Sequence, residues 1–115
     1  MARLGRPELD DGVVMVALAG TLDLAAARGL REQLDDVLDR FPRSDVALDL
    51  SGVDFVDSSG LGLLLGRFRR LKASGRALRL VGVRESVDKV LRLSGFHGIM
   101  EIDPLPRVEP PGAQP

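Results

Sequence analysis

Apolar and polar positions along the chain follow two periods, one typical of strands and one typical of helices. Residues 12–20 combine β-prone apolar side chains with a glycine at each end, which predicts a strand. Its alternation is weak, so we expect burial on both faces. The apolar positions that follow recur along one helical stripe, which predicts a first helix over residues 24–41, ended by Pro42. That stripe contains Leu30, Leu34, Val37, Leu38 and Phe41.

The same two periods then repeat to the end of the apolar part of the chain. Residues 46–50 and 53–56 predict extended structure interrupted at Ser51 and Gly52, and residues 77–83 predict a further strand. A second helix is predicted over residues 59–74 and a third over residues 86–94, with a last edge strand over residues 98–102. The apolar stripe of the second helix contains Leu61, Leu64, Leu65, Phe68 and Leu71. Its basic residues Arg67, Arg70 and Lys72 lie off that stripe. The apolar stripe of the third helix contains Val87, Val90 and Leu91.

Strands that alternate with helices predict an α/β domain with parallel neighbouring strands and right-handed crossovers. The domain spans residues 12–103, and residues 1–11 form an N-terminal segment that can supply a first edge strand. Residues 104–115 hold five of the seven prolines and little apolar surface to bury, which predicts a flexible tail. We expect Leu34, Leu48, Leu64 and Leu80 to lie in the core.

The composition and charge of the chain exclude several classes of function. The 115 residues suffice for one domain, and 44% apolar with 29% charged residues is typical of a soluble globular protein. No apolar run approaches the roughly 20 residues that cross a bilayer, and the N-terminus lacks a leader pattern, so we expect a cytoplasmic protein that binds no membrane. A net charge of −1 with 3% aromatic residues argues against a nucleic-acid partner.

Catalytic and metal-binding chemistry find little support in the residues. The chain has no cysteine and a single histidine, His97, in a glycine-flanked turn that predicts a solvated residue. It has neither a G-x-S-x-G nucleophile turn nor a Gly-Lys-Ser/Thr phosphate loop. The basic residues within 67–72 are typical of a solvated helix face. The carboxylates Asp23, Asp49, Asp54 and Asp57 lack the further ligands that a metal site needs.

The segment 57–62, Asp-Ser-Ser-Gly-Leu-Gly, lies between a predicted strand and a predicted helix. One interpretation is structural, because Asp and Ser cap helix N-termini by accepting hydrogen bonds from free backbone N–H groups. The other is regulatory, because a hydroxyl on such a turn is accessible to a kinase. A phosphate there would add about −1.5 to −2 charges. We expect the free N–H groups and dipole of the helix N-terminus to accommodate that charge while the surface potential changes.

This hexapeptide resembles the phosphorylation motif of the bacterial anti-sigma factor antagonists, a family of STAS domains. The resemblance extends over about residues 12–102: residues 20–23 resemble a G-x-L-D turn, residues 46–62 the central block, and residues 93–96 a short Ser-Gly-hydrophobic signature. It implies a small mixed β-sheet with α-helices packed largely on one side. Two positions depart from the family pattern. Thr21 replaces a commonly acidic residue, and prolines occupy the region of a final amphipathic helix.

The resemblance also implies a function and the residues that perform it. Ser58 corresponds to the phosphoacceptor, and the partner-binding positions are Thr21, Asp23, Asp57, Ser58, Ser59, Gly60 and Leu61. The implied partner is an anti-sigma factor with ATP-dependent serine kinase activity. The unphosphorylated chain binds that kinase and so releases a sigma factor, phosphorylation of Ser58 ends binding, and a phosphatase acting on phospho-Ser58 restores it.

ATP and Mg²⁺ belong to the kinase, so we expect no cofactor or metal on this chain and no enzymatic activity. We also expect Asp23→Ala to weaken kinase binding and leave the melting temperature nearly unchanged. The alternative keeps the STAS fold but not the phosphorylation cycle: a scaffold or accessory subunit of a larger stress-sensing or lipid-transport assembly.

Overall fold

The computed structural model describes residues 2–105. Within this range strands and helices alternate from residue 13 onwards, which confirms the predicted α/β order. The strands are β1 (Arg3–Leu4), β2 (Glu8–Asp10), β3 (Val13–Leu22), β4 (Asp45–Val56), β5 (Leu78–Val83) and β6 (Glu101–Pro104). The helices are α1 (Leu24–Arg40), α2 (Ser58–Ala73) and α3 (Glu85–Leu93).

The strands of the described residues form one mixed sheet in the order β1-β3-β4-β5-β6, with β2 also paired to β3. Strands β3 to β6 are parallel, whereas β1 and β2 run antiparallel to β3. Successive parallel strands are neighbours and always advance in the same direction across the sheet. Right-handed crossovers therefore place all three helices on the same face, as predicted.

The core lies between this sheet face and the helices. Leu34, Leu48, Leu64 and Leu80 are all buried, which confirms the predicted core positions. The expectation that β3 is buried on both faces is wrong. Met15 and Ala17 are exposed on the opposite face, where the described residues place no helix.

The end of the domain differs from the prediction. The predicted last edge strand is present as β6, but it begins only at Glu101 and not at residue 98, because Phe96–Gly98 is a 3-10 turn with Phe96 buried. His97 is not a solvated turn residue, since its Nε2 lies 2.8 Å from Asp88 Oδ1 and ties the turn to α3.

Each of the two predicted terminal segments lies partly within the described residues. The segment 1–11 contains strands β1 and β2. Pro104 is the last residue of β6, and the Leu105 N–H donates to the Val83 carbonyl at 2.7 Å, so these two residues of the tail segment adjoin the sheet. The remainder of the predicted tail and of the region where the family has a final helix, from residue 106 onwards, lies outside the described residues.

Helix α2 buries a residue that the sequence pattern left off its stripe. Arg67 is only 7% exposed, and its Nε lies 3.1 Å from Asp35 Oδ1 on α1. Leu63, one turn earlier and outside the predicted stripe, is buried with it, and Leu71, one turn later, is buried as predicted. The predicted stripe residues Leu61 and Leu65 are half-buried. Helix α2 packs against both the sheet and α1, so its buried surface is wider than one apolar stripe.

Candidate functional site

The ends of β3 and β4 lie side by side and bring the two predicted turns together. Leu22 is paired with Val56, and the Asp57 N–H donates to the Leu22 carbonyl at 3.1 Å. The segment 20–23 is not the turn that the sequence predicted. Residues 20–22 continue β3 past two register shifts, so only Asp23 separates the strand from α1.

Asp57 organises the start of α2. Its Oδ1 accepts hydrogen bonds from the backbone N–H groups of Ser59 at 2.8 Å and Gly60 at 3.1 Å, as an N-cap residue does. Ser58 is consequently the first residue of the helix, with its side chain exposed. The expectation that free N–H groups at this terminus would receive a phosphate is therefore wrong for two of them, because a carboxylate already occupies both.

Asp23 caps α1 in the same way. Its Oδ1 accepts from the Ala26 N–H at 3.0 Å. Next to it, the Thr21 hydroxyl lies 3.3 Å from Asp54 Oδ1, a contact that links the ends of the two strands. The predicted partner residues Thr21 and Asp23 are thus half-buried and already engaged in contacts within the domain.

Gly60 has a packing role that removes it from the exposed surface. It is buried, and a Cβ at this position would overlap the Leu22 carbonyl oxygen and lie 2.8 Å from the Leu22 Cβ and 2.9 Å from Val56 Cγ1. Gly60 therefore allows α2 to begin directly against the strand ends and is not available to a partner. Ser59 and Leu61 are half-buried beside it.

Two exposed apolar side chains at this edge were not identified from the sequence. Leu24 is 76% exposed and Phe55 is 53% exposed. Leu24 directly follows the cap Asp23, and Phe55 is the register partner of Thr21. The exposure of Leu24 could have been predicted from the sequence, because Leu24 lies off the apolar stripe of the first helix. Single exposed apolar side chains are common on protein surfaces, so what distinguishes these two is their position beside the Asp23 cap and Thr21.

No metal or membrane feature accompanies this edge. Residues 2–105 contain no group of three or more His, Cys, Asp or Glu side chains placed to hold a metal ion. No helix in the same range has the length and apolar character needed to span a membrane.

Comparison with known proteins agrees with the fold and the motif. The STAS domain family profile matches residues 7–107. An anti-sigma F factor antagonist of Paenibacillus polymyxa is 35% identical over 91 residues, which are 79% of this chain and 78% of that protein.

Two solved structures are similar as well. An anti-sigma factor antagonist from Mycobacterium paratuberculosis shares the fold, with a TM-score of 0.79 over 90% of this chain and 86% of that one at 23% identity. The phosphorylated form of the Bacillus cell fate determinant SpoIIAA has a TM-score of 0.64 at 28% identity, over 84% of this chain and 88% of that one.

The name of the Paenibacillus relative describes a regulator and not an enzyme, in agreement with the prediction for this chain. With a family profile covering most of its length and a relative above 30% identity, the chain belongs to the STAS domain family, among the bacterial anti-sigma factor antagonists.

Proposed function

We propose that this protein is an anti-sigma factor antagonist whose binding is controlled at Ser58. The unphosphorylated form binds an anti-sigma factor that carries ATP-dependent serine kinase activity, and thereby releases a sigma factor in the cytoplasm. The observation that carries the proposal is the exposed Ser58 side chain at the first position of α2, on a turn held by the Asp57 cap. A relative of this chain has been solved in a phosphorylated form.

The local geometry favours Ser58 over Ser59 as the phosphoacceptor. Ser58 is exposed, and none of the described residues forms a hydrogen bond with its hydroxyl. Ser59 is half-buried, and its N–H is bonded to the Asp57 carboxylate. A kinase has to surround the hydroxyl it modifies, and of the two serines Ser58 is the more exposed.

The same geometry supports a charge-based switch. A phosphate at Ser58 would add about −1.5 to −2 charges next to Asp57. Because the Asp57 carboxylate already occupies the N–H groups of residues 59 and 60, the helix terminus has less capacity to neutralise the phosphate. The charge would instead face the partner across a contact that includes the exposed Leu24 and Phe55, where uncompensated like charge costs several kcal/mol.

The test uses a purified anti-sigma factor kinase that binds this protein, together with ATP and Mg²⁺. We expect mass spectrometry of the kinase reaction to locate the phosphate on Ser58. The phosphate should be present to the same extent in Ser59→Ala and absent in Ser58→Ala. A phosphatase should remove it. Calorimetry should show that Ser58→Ala binds the kinase and that Ser58→Glu binds roughly two to three decades more weakly, a loss of about 3–4 kcal/mol. Both variants should keep the wild-type melting temperature.

Two outcomes would contradict the proposal. Phosphate on Ser59 alone would show that Ser59, and not Ser58, is the phosphoacceptor. Equal affinities of Ser58→Ala and Ser58→Glu for the kinase would exclude the charge switch. Stable partner binding with no phosphorylation of either serine would favour the non-cycling scaffold.

A further inference from the structure

A groove runs between α1 and α2 and opens next to the Ser58 turn. It encloses about 510 Å³. Leu24 and Ser59 lie at its end nearest the turn, so the groove is continuous with the surface that the proposed function uses. Its other lining residues are Ala27, Arg28, Arg31, Gly62, Leu63, Gly66 and Arg67.

All the charged residues that line the groove are arginines, and one of them is incompletely paired. Arg67 is 7% exposed; its Nε lies 3.1 Å from Asp35 Oδ1 but in a geometry that forms no hydrogen bond, and its Nη1 has no hydrogen-bond partner among the described residues. Its ion-pair partner Asp35 is shared: Asp35 also lies 3.9 Å from Arg31 and 2.9 Å from Arg70.

The charges around this shared carboxylate do not balance. Three guanidinium groups, those of Arg31, Arg67 and Arg70, face two carboxylates, Asp35 and Asp39, so the cluster has an excess of one positive charge. The pKa of Arg67 is lowered by burial and further by Arg31 and Arg70, against the opposing effect of Asp35. An additional anion in the groove would relieve this imbalance.

The floor of the groove permits close approach of another backbone. Gly62 and Gly66 lie one turn apart on α2 and both line the groove. A Cβ built on either glycine would have no heavy atom within 4 Å, so neither is required for packing within the domain. Two such glycines in a helix interior lower helix propensity, and they leave space that a partner segment can fill.

We propose that this groove receives a segment of the partner kinase that carries an acidic side chain, which pairs with the arginines while the segment packs over Gly62 and Gly66. The inference rests on the proposed function, because the occupant is the protein that also contacts the Ser58 turn. Charge complementarity and continuity with that turn identify the occupant. The groove then extends the contact beyond the phosphorylation site and contributes affinity that Ser58 does not control.

The first test fills the groove. Gly66→Leu places a side chain in it, and Gly29→Leu is the matched control, because Gly29 is also helical, also has open space at its Cβ and does not line this groove. We expect Gly66→Leu to weaken kinase binding about tenfold or more in calorimetry, and Gly29→Leu to bind like the wild type. Leucine has the better helix propensity, so neither variant should melt at a lower temperature.

The second test reverses charge. Arg28→Glu changes the rim of the groove, and Arg40→Glu makes the same change at the far end of the same helix. Each arginine lies next to an acidic residue four positions earlier or later. We expect Arg28→Glu to lower the association rate and the salt dependence of binding, and Arg40→Glu to change both much less.

The outcomes separate the two proposals. If Ser58→Ala and Ser58→Glu behave as proposed while Gly66→Leu and Arg28→Glu bind like the wild type, the groove proposal fails alone. If the wild type does not bind the kinase, both fail. If inorganic phosphate titrated into the free protein binds in the groove and the groove variants leave kinase affinity unchanged, the groove is a small-anion site and the proposal is overturned.

Discussion

At the scale of single residues, the two aspartates nearest Ser58 each combine a structural role with a proposed contact role. Asp23 caps α1 and Asp57 caps α2 through their carboxylate oxygens. The sequence predicted that Asp23→Ala would leave the melting temperature nearly unchanged. The cap contact revises this expectation, because loss of an N-cap costs about 0.5–2 kcal/mol. Truncation at either position therefore lowers stability in addition to removing any contact with the partner.

A substitution that keeps the cap separates the two roles. We expect Asp23→Ala to lower the free energy of unfolding by about 1 kcal/mol, and Asp23→Asn to change it by only a few tenths, since the amide oxygen can accept from the Ala26 N–H. If the charge of Asp23 contacts the kinase, Asp23→Asn weakens binding without loss of stability. Urea denaturation and calorimetry measure the two quantities. Wild-type affinity in Asp23→Asn would leave Asp23 as a cap only.

At the scale of elements, the position of α2 depends on how closely its first turn approaches the strand ends. Gly60 lies against Leu22 and Val56 with no room for a Cβ, whereas Gly62, two residues later in the same helix, has open space. The motif thus contains two glycines with different physical roles. One sets the contact between helix and sheet, and the other lines the groove beside α1.

The two glycines should respond in opposite directions to the same substitution. Gly60→Ala would force a methyl group into the Leu22 backbone, and overpacking of this kind costs about 1–3 kcal/mol. We expect that loss to exceed the gain in helix propensity. Gly62→Ala should instead raise the free energy of unfolding by up to about 1 kcal/mol. Denaturant melts of both variants provide the comparison, and equal stabilities would contradict the packing described for Gly60.

At the scale of the whole molecule, stability comes from one core between the sheet and its helix-covered face. Leu80 lies on β5, between β4 and β6, and is fully buried. We expect Leu80→Ala to cost about 2–5 kcal/mol, because it removes buried methyl groups and leaves a cavity. Leu93→Ala is the control: Leu93 is 89% exposed, so its removal should change stability by less than about 0.5 kcal/mol. Equal losses in the free energy of unfolding for the two variants, measured by denaturant titration, would contradict the fold.

Much of this architecture could be predicted because its determinants are local in sequence. The helices predicted over residues 24–41, 59–74 and 86–94 agree with Leu24–Arg40, Ser58–Ala73 and Glu85–Leu93 to within one residue at each end. Apolar periodicity, Pro42 after the first helix and Asp57 before the second are sufficient for that agreement. The order of strands and helices then limits the topology, because right-handed crossovers between parallel strands leave few arrangements.

Other features depend on which elements meet, and only the tertiary structure decided them. Arg67 has the polarity of a surface residue, yet it is buried because α1 supplies Asp35 opposite it. The motif contains two glycines, and it is the tertiary structure that distinguishes them: Leu22, distant in sequence, occupies the space of a Cβ at Gly60, whereas the space at Gly62 is open. Local periodicity records the propensity of a segment but not its neighbours. The sequence therefore determined the helices, most of the strands and the motif at residues 57–62, whereas the packing of α1 and α2 decided which side chains surround Ser58 and form the groove beside it.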